Sequence, residues 1–287
     1  MTTSDHVRLL ISCKDRPGVV AVVSGFLADH GLNIVEAAQH QSLSAVAEDS
    51  AAMFSMRVVF TAPADLDRLV ADFTPLTDAG DFHARFSPVS HRKKAVIMVS
   101  REDHCLVDLL WRHRNHELDM EIVGVVSNHP DHADTVESLG YEFHHIPVTP
   151  GRKGEAEEQL LEILDSNGAE LVILARYMQI LSSGCLAAAP QMINIHHSFL
   201  PAFKGAEPYR QAYDRGVKLI GATAHYVTPE LDAGPIISQD VTRIGHQHSV
   251  GDLVRIGRDI ERRVLAEAVA AHLEDRVLLD GSRTIVF

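Results

Sequence analysis

Three polar residues of types that catalyse acyl chemistry lie near each other in the second half of the sequence. Asn194 and His196 end a short apolar run, and Asp232 lies on a loop rich in glycine and proline. Residues two apart on a strand point to the same face, so the amide and the imidazole should face one site. An amide can donate to a developing oxyanion, a histidine can move protons, and a carboxylate can hold the histidine and orient a water.

The same three residues also have a purely structural interpretation. Asn194 and His196 could satisfy backbone groups at the end of a strand, while Asp232 caps a turn. Spacing alone leaves the two interpretations about equally open. No serine or cysteine occupies an obvious nucleophile position here, so the functional interpretation predicts attack by an external nucleophile.

Neighbouring histidines make a metal-dependent hydrolase a rival hypothesis. The pairs are His144–His145, His196–His197, and His246 with His248. Adjacent strand residues face opposite sides, however, and the sequence has neither a His-Glu-x-x-His pattern nor a spaced set of cysteines and histidines. We therefore expect no metal site, and the activity should persist after exhaustive chelation.

Composition and charge restrict the class of protein. A chain of 287 residues favours two domains, and a net charge of -13 makes a nucleic-acid backbone a poor partner. No apolar run reaches the length of about 18 residues that a membrane span needs, and the first residues lack a signal-peptide pattern. The three cysteines, Cys13, Cys105 and Cys185, are far apart, as expected for reduced thiols. We expect a cytoplasmic protein that binds neither nucleic acid nor membrane.

Residues 1–86 have the pattern of a small α+β domain. Strands are predicted over 7–14, 32–40, 54–60 and 82–86, and helices over 19–30 and 65–80, the second with a break at Thr74-Pro75. The resulting order, β-α-β-β-α-β, is ferredoxin-like. The polar residues 87–94 are the predicted linker.

Residues 95–287 alternate buried apolar runs with helical stretches. Strands are predicted over 95–99, 122–126, 171–174 and, more weakly, 143–146; helices are predicted over 105–114, 133–139, 155–166 and 250–273. This alternation predicts a doubly wound, mostly parallel sheet, whose ligands bind beyond the carboxyl ends of the strands. Residues 276–287 should form one or two short strands.

The segment around the three polar residues resembles the signature of the folate-dependent formyltransferases. The matching residues are Asn194-Ile195-His196, Ser198, Leu200-Pro201, Gly205 and the run Leu231–Ile237. The resemblance spans roughly residues 93–280, and implies that Asn194, His196 and Asp232 are catalytic. It also implies that two segments bind the folate, through Arg176, Tyr177, Met178, Ile180, Leu181, Val227, Glu230 and Leu231.

Packing within a helix is the alternative for Tyr177, Met178 and Ile180. The anionic glutamate tail of a folate also needs a cationic or solvated exit. The sequence does not choose among Arg101, Lys204 and Arg210 for that contact.

Four further residues are secondary candidates. His197 follows His196 and should point to the other face unless the strand has ended, so packing beneath the site is slightly preferred. His225, on the second apolar run, could face the same cleft. Lys204 and Glu207 lie in the intervening loop, where they could pair with each other or line the site.

The place that would hold a phosphorylated acceptor differs from that of the glycinamide ribonucleotide formyltransferases. Those enzymes carry a glycine-rich phosphate loop after the first strand, whereas residues 99–105 here contain no glycine and include Glu102 and Asp103. Methionyl-tRNA formyltransferases would need an electropositive surface and a further C-terminal domain. Water is therefore the expected acceptor.

The first 86 residues resemble an ACT domain, a module that senses small molecules. The resemblance lies in Asp15–Val20, the following helix, and Gly31-Leu32-Asn33-Ile34. It implies an amino-acid effector and a homo-oligomer.

The combination of the two domains, with residues 100–106 and 194–201, resembles the formyltetrahydrofolate deformylases along the whole chain. This family implies hydrolysis of 10-formyltetrahydrofolate to tetrahydrofolate and formate, with the folate as substrate and no cofactor. Transfer of the formyl group to an amine acceptor, and a non-catalytic amino-acid sensor, are the alternatives.

Overall fold

The computed structural model describes residues 5–42, 52–80, 82–202 and 207–287. These residues form two compact units, Met1–Arg92 together with Glu274–Phe287, and Lys93–Leu273. The C-terminal segment thus groups with the first unit, whereas the sequence pattern predicts a single domain over residues 95–287. The functional limits of the two domains stay a prediction.

The first unit has the predicted ferredoxin-like order. Its elements are β1 (His6–Lys14), α1 (Val19–Asp29), β2 (Ile34–Ser42), β3 (Met53–Thr61), α2 (Leu66–Gly80) and β4 (His83–Pro88). The strands form one sheet in the order β2-β3-β1-β4, and every neighbouring pair is antiparallel. This arrangement confirms the predicted fold class for the N-terminal domain.

Periodic apolar residues attach α1 to this sheet. The helix follows Gly18, whose φ of 95° lies in the left-handed region that glycine adopts without strain. Val19, Val23 and Leu27 recur at intervals of four and are buried, so they form one face of the helix. They join a core that includes the fully buried Phe60 of β3.

Helix α2 continues through Pro75, so the predicted break at Thr74-Pro75 is wrong. Phe73 and Leu76, on either side of the break, both pack into the core of the unit, and this packing holds the helix on both sides of the proline. The connection to the second unit is also shorter than predicted, because β4 runs to Pro88 and the next strand begins at Lys93.

The second unit alternates strands and helices as predicted. Its elements are β5 (Lys93–Val99), α3 (His104–Arg114), β6 (Met120–Ser127), α4 (Ala133–Ser138), β7 (Phe143–His145), α5 (Lys153–Ser166), β8 (Leu171–Leu174), α6 (Ser183–Ala188), β9 (Gln191–His196), α7 (Pro208–Asp214), β10 (Leu219–Tyr226), β11 (Ile236–Arg243) and α8 (Val250–Leu273).

The seven strands of this unit form a mostly parallel sheet, in the order β11-β10-β9-β8-β5-β6-β7. All pairs from β9 to β7 are parallel, which confirms the predicted doubly wound class. β10 and β11 are antiparallel additions at one edge. Because β10 runs against β9, its last residues pair near the end of β9, and His225 lies opposite Asn194.

The C-terminal segment ends in a two-stranded hairpin, β12 (Val277–Asp280) with β13 (Arg283–Val286), as the sequence predicted. Just before it, Asp275 is fully buried among arginines of the first unit. Arg8 and Arg85 contact its carboxylate at 3.4 and 2.9 Å, and Arg57 donates to its backbone carbonyl at 3.2 Å.

In the described part of the chain, no helix has both the length and the apolar character that a bilayer crossing requires.

Candidate active site

The end of β9 and the facing end of β10 bring three polar side chains together. The Asn194 amide nitrogen donates to Nε2 of His225 over 3.2 Å, and Nδ1 of His225 donates to the Tyr226 carbonyl over 2.9 Å. This pair of bonds fixes His225 as the Nδ1–H tautomer, because its Nε2 must accept. Asn194 uses one of its two amide hydrogens here, so the other is available to a ligand.

Asp232 completes the predicted trio. Its Oδ1 lies 3.3 Å from Nδ1 of His196 and 3.9 Å from Nε2 of His225. Asp232 adopts a φ of 52°, and the loop that carries it passes very close to β10. A Cβ on Gly234 would lie 1.7 Å from the Tyr226 carbonyl oxygen, so only glycine fits at that position. The loop backbone is therefore held where it places Asp232 against the histidines.

One nitrogen of this cluster remains without a partner. Nε2 of His196 is buried and forms no hydrogen bond with any residue that the structure describes. A buried polar atom that lacks a partner is costly, and a bound ligand would supply one. With Nδ1 directed to Asp232, Nε2 is the atom through which His196 can donate or accept a proton.

Local charges separate the protonation behaviour of the groups around Asp232. The hydrogen bond from His196 is the largest influence, and it lowers the pKa of Asp232 in spite of partial burial. Burial lowers the pKa of His225, so that this ring is neutral where it accepts from Asn194. The site thus combines an ionised carboxylate, a neutral imidazole and an amide.

His197 lies directly behind His196, because β9 ends at His196. The two rings stack with centroids 5.1 Å apart and an interplanar angle of 23°. Arg176 donates to Nδ1 of His197. Burial and then the charge of Arg176 lower the pKa of His197 to about 3. His197 also lines the cavity, so the packing role beneath the site that the sequence slightly favoured stays a prediction.

The segment 176–181 is an extended loop after β8, so helix packing, the alternative for its apolar residues, is wrong. Arg176 has a φ of 67°, and its carbonyl accepts from the Ser100 backbone amide over 3.2 Å. The Ser100 hydroxyl accepts from the Met178 amide over 2.9 Å and donates to Asn128 over 2.6 Å. Ser100 thus holds the loop across the carboxyl ends of β5 and β8.

These groups surround a cavity of about 320 Å³. Apolar side chains on its walls are exposed although they are large: Ile180 is 64% exposed, Leu231 59% and Met178 56%. Exposed apolar groups that line a cavity are typical of a site for a flat, largely apolar ligand. The lining includes all eleven primary candidates: Asn194, His196, Asp232, Arg176, Tyr177, Met178, Ile180, Leu181, Val227, Glu230 and Leu231.

The secondary candidates have different outcomes. His197 and His225 line the cavity. Glu207 is exposed at the start of α7 and is not among the described residues that line the cavity, so its place in the site stays a prediction. Lys204 lies outside the described residues. Arg101 and Arg210, offered for the folate tail, are also absent from the described lining, in which Arg176 is the only lysine or arginine.

A second polar cluster adjoins Arg176 and was not predicted. Glu261 of α8 is 1% exposed and accepts from Tyr209 over 2.5 Å. Its other oxygen lies 2.9 Å from Nε2 of His104 and 3.4 Å from Nε of Arg176. The available signal was an acid within the buried stripe of α8, between Ile260 and Val264. An acid at such a position is almost always paired.

Glu261 stays charged despite its environment. Burial opposes its ionisation, but the hydrogen bond from His104 and the charge of Arg176 outweigh burial and lower the pKa of Glu261. His104, Cys105 and Glu261 also place ligand atoms within 4.8 Å of one another. Burial and the Glu261 charge raise the pKa of the Cys105 thiol, however. Both oxygens of Glu261 already have partners in Tyr209, His104 and Arg176, so the observed arrangement is a network of hydrogen bonds and an ion pair.

From the sequence, Glu102 is expected to oppose the binding of an anion. Glu102 forms an ion pair with Arg258 of α8. Part of its charge is therefore offset within the unit. Asp103 precedes α3 and makes no side-chain cap to the helix.

Two protein families match this chain. Residues 93–269 match the formyl transferase family, and residues 7–76 match the ACT domain. These ranges lie on the two predicted domains.

Relatives of known name match over nearly the whole chain. The formyltetrahydrofolate deformylase of Mycobacterium tuberculosis is 51% identical over 289 residues, which cover 99% of this chain and 91% of the relative. That of Bacillus subtilis is 44% identical over 287 residues, which cover 99% and 94%.

Solved structures of two kinds of enzyme resemble this chain to different extents. A formyltetrahydrofolate deformylase from Pseudomonas syringae superposes with a TM-score of 0.93 at 48% identity, covering 98% of this chain and 94% of that one. A glycinamide ribonucleotide transformylase from Symbiobacterium toebii reaches a TM-score of 0.65 at 31% identity. It covers 70% of this chain and 96% of that one, so the transformylase matches only part of this chain.

Proposed function

This chain belongs to the formyltetrahydrofolate deformylase family, and on that premise we propose that it hydrolyses 10-formyltetrahydrofolate to tetrahydrofolate and formate in the cavity around His196. The observation that carries the assignment is the match to deformylases across both units of the chain. The transformylase likeness covers 70% of it. The enzyme is a hydrolase that breaks a linear amide C–N bond.

The formyl carbonyl is proposed to face Asn194 and His196. The free amide hydrogen of Asn194 and a protonated Nε2 of His196 donate to the carbonyl oxygen as it becomes an oxyanion. The support is geometric, since Asn194 has one hydrogen uncommitted and His196 Nε2 lacks a partner among the described residues. His225 holds the amide in place by accepting its other hydrogen.

Asp232 is proposed to orient the attacking water and to hold His196. Its ionised carboxylate accepts from the water as the oxygen bonds to the formyl carbon. The tetrahedral intermediate then collapses, the C–N bond breaks, and the departing N10 nitrogen takes up a proton. One proton of the water passes to N10, the other is released as formic acid ionises to formate, and the balance of the step requires no further co-reactant.

The cavity walls suit the rest of the substrate. We infer that the pterin lies against Met178, Ile180 and Leu231, whose exposed apolar surface it would cover. Polar and backbone groups of the 176–181 and 227–232 segments orient it. Arg176 is committed to His197 and Glu261, so the glutamate tail is proposed to leave through solvent.

The remaining proposals concern the effector, the oligomeric state and the location of the protein. The ACT unit is proposed to bind an amino-acid effector, and the protein to form a homo-oligomer, since ACT modules commonly pair. We propose a cytoplasmic location, which the three free and buried cysteines support.

Formate release is the decisive measurement. The protein is incubated with 10-formyltetrahydrofolate in the presence of a chelator, and formate and tetrahydrofolate are measured with and without glycinamide ribonucleotide. We expect equal amounts of both products with water as the sole acceptor. Formation of product only when the ribonucleotide is added would show a transferase, and loss of activity on chelation would show a metal enzyme.

A further inference from the structure

A line of contacts connects the buried Glu261 to the proposed catalytic histidine. Glu261 contacts Nε of Arg176 at 3.4 Å, and Arg176 donates to Nδ1 of His197. His197 stacks on His196, whose Nδ1 lies 3.3 Å from Asp232. Two carboxylates thus lie at the two ends of this line, with one guanidinium and two imidazoles between them.

The Glu261 end is built into the fold. Its two oxygens are shared among Tyr209, His104 and Arg176, and the side chain is 1% exposed. Tyr209 reaches it because α8 has a glycine one turn earlier: a Cβ on Gly257 would lie 2.0 Å from the Tyr209 hydroxyl. Such a close approach, with every partner buried or half-buried, holds the carboxylate in one position.

The Arg176 contact adds to burial in keeping His197 neutral. A guanidinium only donates, so Nδ1 of His197 must accept and cannot carry a proton. Protonation of His197 would break this bond and place a cation against both Arg176 and His196. His197 is thus the neutral partner in the stacked pair.

We propose that Glu261 and Arg176 are positioning residues of the deformylase reaction: Glu261 holds Arg176 in place, and Arg176 keeps His197 neutral and stacked, so that proton transfer in this cluster takes place at His196. The inference rests on the proposed function, because it assigns the protonated His196 a role in hydrolysis. Glu261 acts through Arg176: its negative charge offsets the guanidinium, which would otherwise disfavour any proton on the neighbouring rings.

Charged and titratable groups from several elements surround the stacked pair of His196 and His197. Asp232 comes from the loop after β10, His225 from β10, His197 from the end of β9, Arg176 from the loop after β8, and Glu261 from α8. The two signs of charge act on His197 in opposite directions: Asp232 and Glu261 raise its pKa, while Arg176 lowers it. Removal of Glu261 and removal of Arg176 should therefore have opposite effects.

The test is the pH profile of kcat for Glu261→Gln, Arg176→Gln and the double variant. Glu261→Gln keeps the size and an acceptor for Tyr209 but removes the charge. We expect its alkaline limb to move to lower pH by about one unit, with kcat at the optimum about tenfold lower. KM should change less than about threefold. Arg176→Gln should move the limb to higher pH, and the double variant should return it towards the wild type.

Two controls separate this role from a structural one. Glu267→Gln makes the same change on the same helix at an exposed acid, and should leave the profile unchanged. Thermal unfolding of every variant measures stability. Limbs that move in the same direction for both charge removals, or stay fixed while only stability falls, would overturn the proposal.

An NMR titration tests the protonation state of His197 without any measurement of turnover. Imidazole resonances are followed by NMR against pH, with His197 assigned from its absence in His197→Gln. The His197 resonance should not titrate between pH 5 and 8 in the wild type, and on acidification it should begin to titrate at a higher pH in Arg176→Gln than in the wild type. If Glu261→Gln does not fold, the proposal is still tested by the NMR comparison of the wild type with Arg176→Gln and by the pH profile of kcat for Arg176→Gln. If the wild type releases no formate, the proposed function fails, while the NMR titration still tests the state of His197.

Discussion

Two aspartates share a backbone conformation but have different partners. Asp232 and Asp275 both adopt a φ of 52° outside any strand or helix. Arg8 and Arg85 hold the Asp275 carboxylate, which is fully buried. Asp232 instead faces His196 and His225 at a cavity, and its side chain is 13% exposed.

The partners account for the difference in use. A guanidinium stays charged throughout the range in which proteins fold, so the Asp275 cluster is a permanent set of ion pairs. An imidazole can gain and lose a proton near neutral pH, so the Asp232 cluster can change its charge during a reaction. A carboxylate that is surrounded by permanent cations stabilises the fold, whereas one that faces titratable groups and a free volume is suited to catalysis.

Paired substitutions to asparagine test this contrast most strongly. Asparagine tolerates the left-handed region, so Asp232→Asn and Asp275→Asn each remove a charge with little backbone strain. We expect Asp232→Asn to lower kcat about 1,000-fold with little change in stability. Asp275→Asn should leave kcat within about twofold but lower the free energy of unfolding by about 3 kcal/mol.

Formate release and denaturant unfolding of both variants give the two readouts. An Asp232→Asn enzyme with near wild-type turnover would remove Asp232 from the mechanism. Unchanged stability of the Asp275→Asn protein would show that the arginine cluster contributes little to the free energy of unfolding.

Substitution of Asn194 by alanine tests the part of the Asp232 cluster that faces the cavity. The free amide hydrogen of Asn194 is proposed to stabilise the oxyanion, and loss of one such donor typically lowers kcat about 100- to 1,000-fold. Folate binding should be largely kept. Asn167→Ala, at the end of α5, is the matched control, and steady-state kinetics of the two variants decide the point. Equal turnover in the two would contradict the assignment.

The buried His197 predicts a particular dependence of stability on pH. Its pKa in the fold is about 3, below the ordinary value of about 6.5. The unfolded chain therefore binds the proton first, and this contribution to stability is complete above about pH 6.5 and is lost as pH falls towards 3. The slope is at most about 1.4 kcal/mol per pH unit. His197→Gln should flatten the curve between pH 7 and 5.

Urea unfolding at several pH values measures that slope. The same substitution at the exposed His145 is the control. An unchanged slope in His197→Gln would mean that His197 is not held neutral in the fold.

The smallest expected effect is on the cavity wall. Ile180 is 64% exposed in the free protein, so Ile180→Ala should change stability by less than about 0.5 kcal/mol. Loss of the apolar surface that the ligand would cover should raise KM about fivefold with kcat nearly unchanged. Val107→Ala, on the exposed face of α3, should alter neither constant. Kinetics in which kcat falls and KM does not would place Ile180 in the chemistry.

Much of the fold could be predicted from local pattern. Apolar periodicity identified most of the strands and helices, because each element buries one face whatever its partners are. The helix through Pro75 was missed, since packing of Phe73 and Leu76 on a core outweighs the local cost of a proline. The 176–181 loop was open to misreading as a helix because local pattern does not show that Met178 and Ile180 are exposed at a cavity while Tyr177 packs in the core.

The sequence by itself determined which residues could do the chemistry, because Asn194 and His196 are neighbours on one strand and the motif that contains Asp232 is contiguous. Only the tertiary structure decided which groups control them. His225 meets Asn194 because β10 runs antiparallel to β9. Glu261 reaches His197 through Arg176 because α8 packs near the ends of strands that are far away in the chain. Contacts of that kind depend on register and helix placement, which no local spacing specifies.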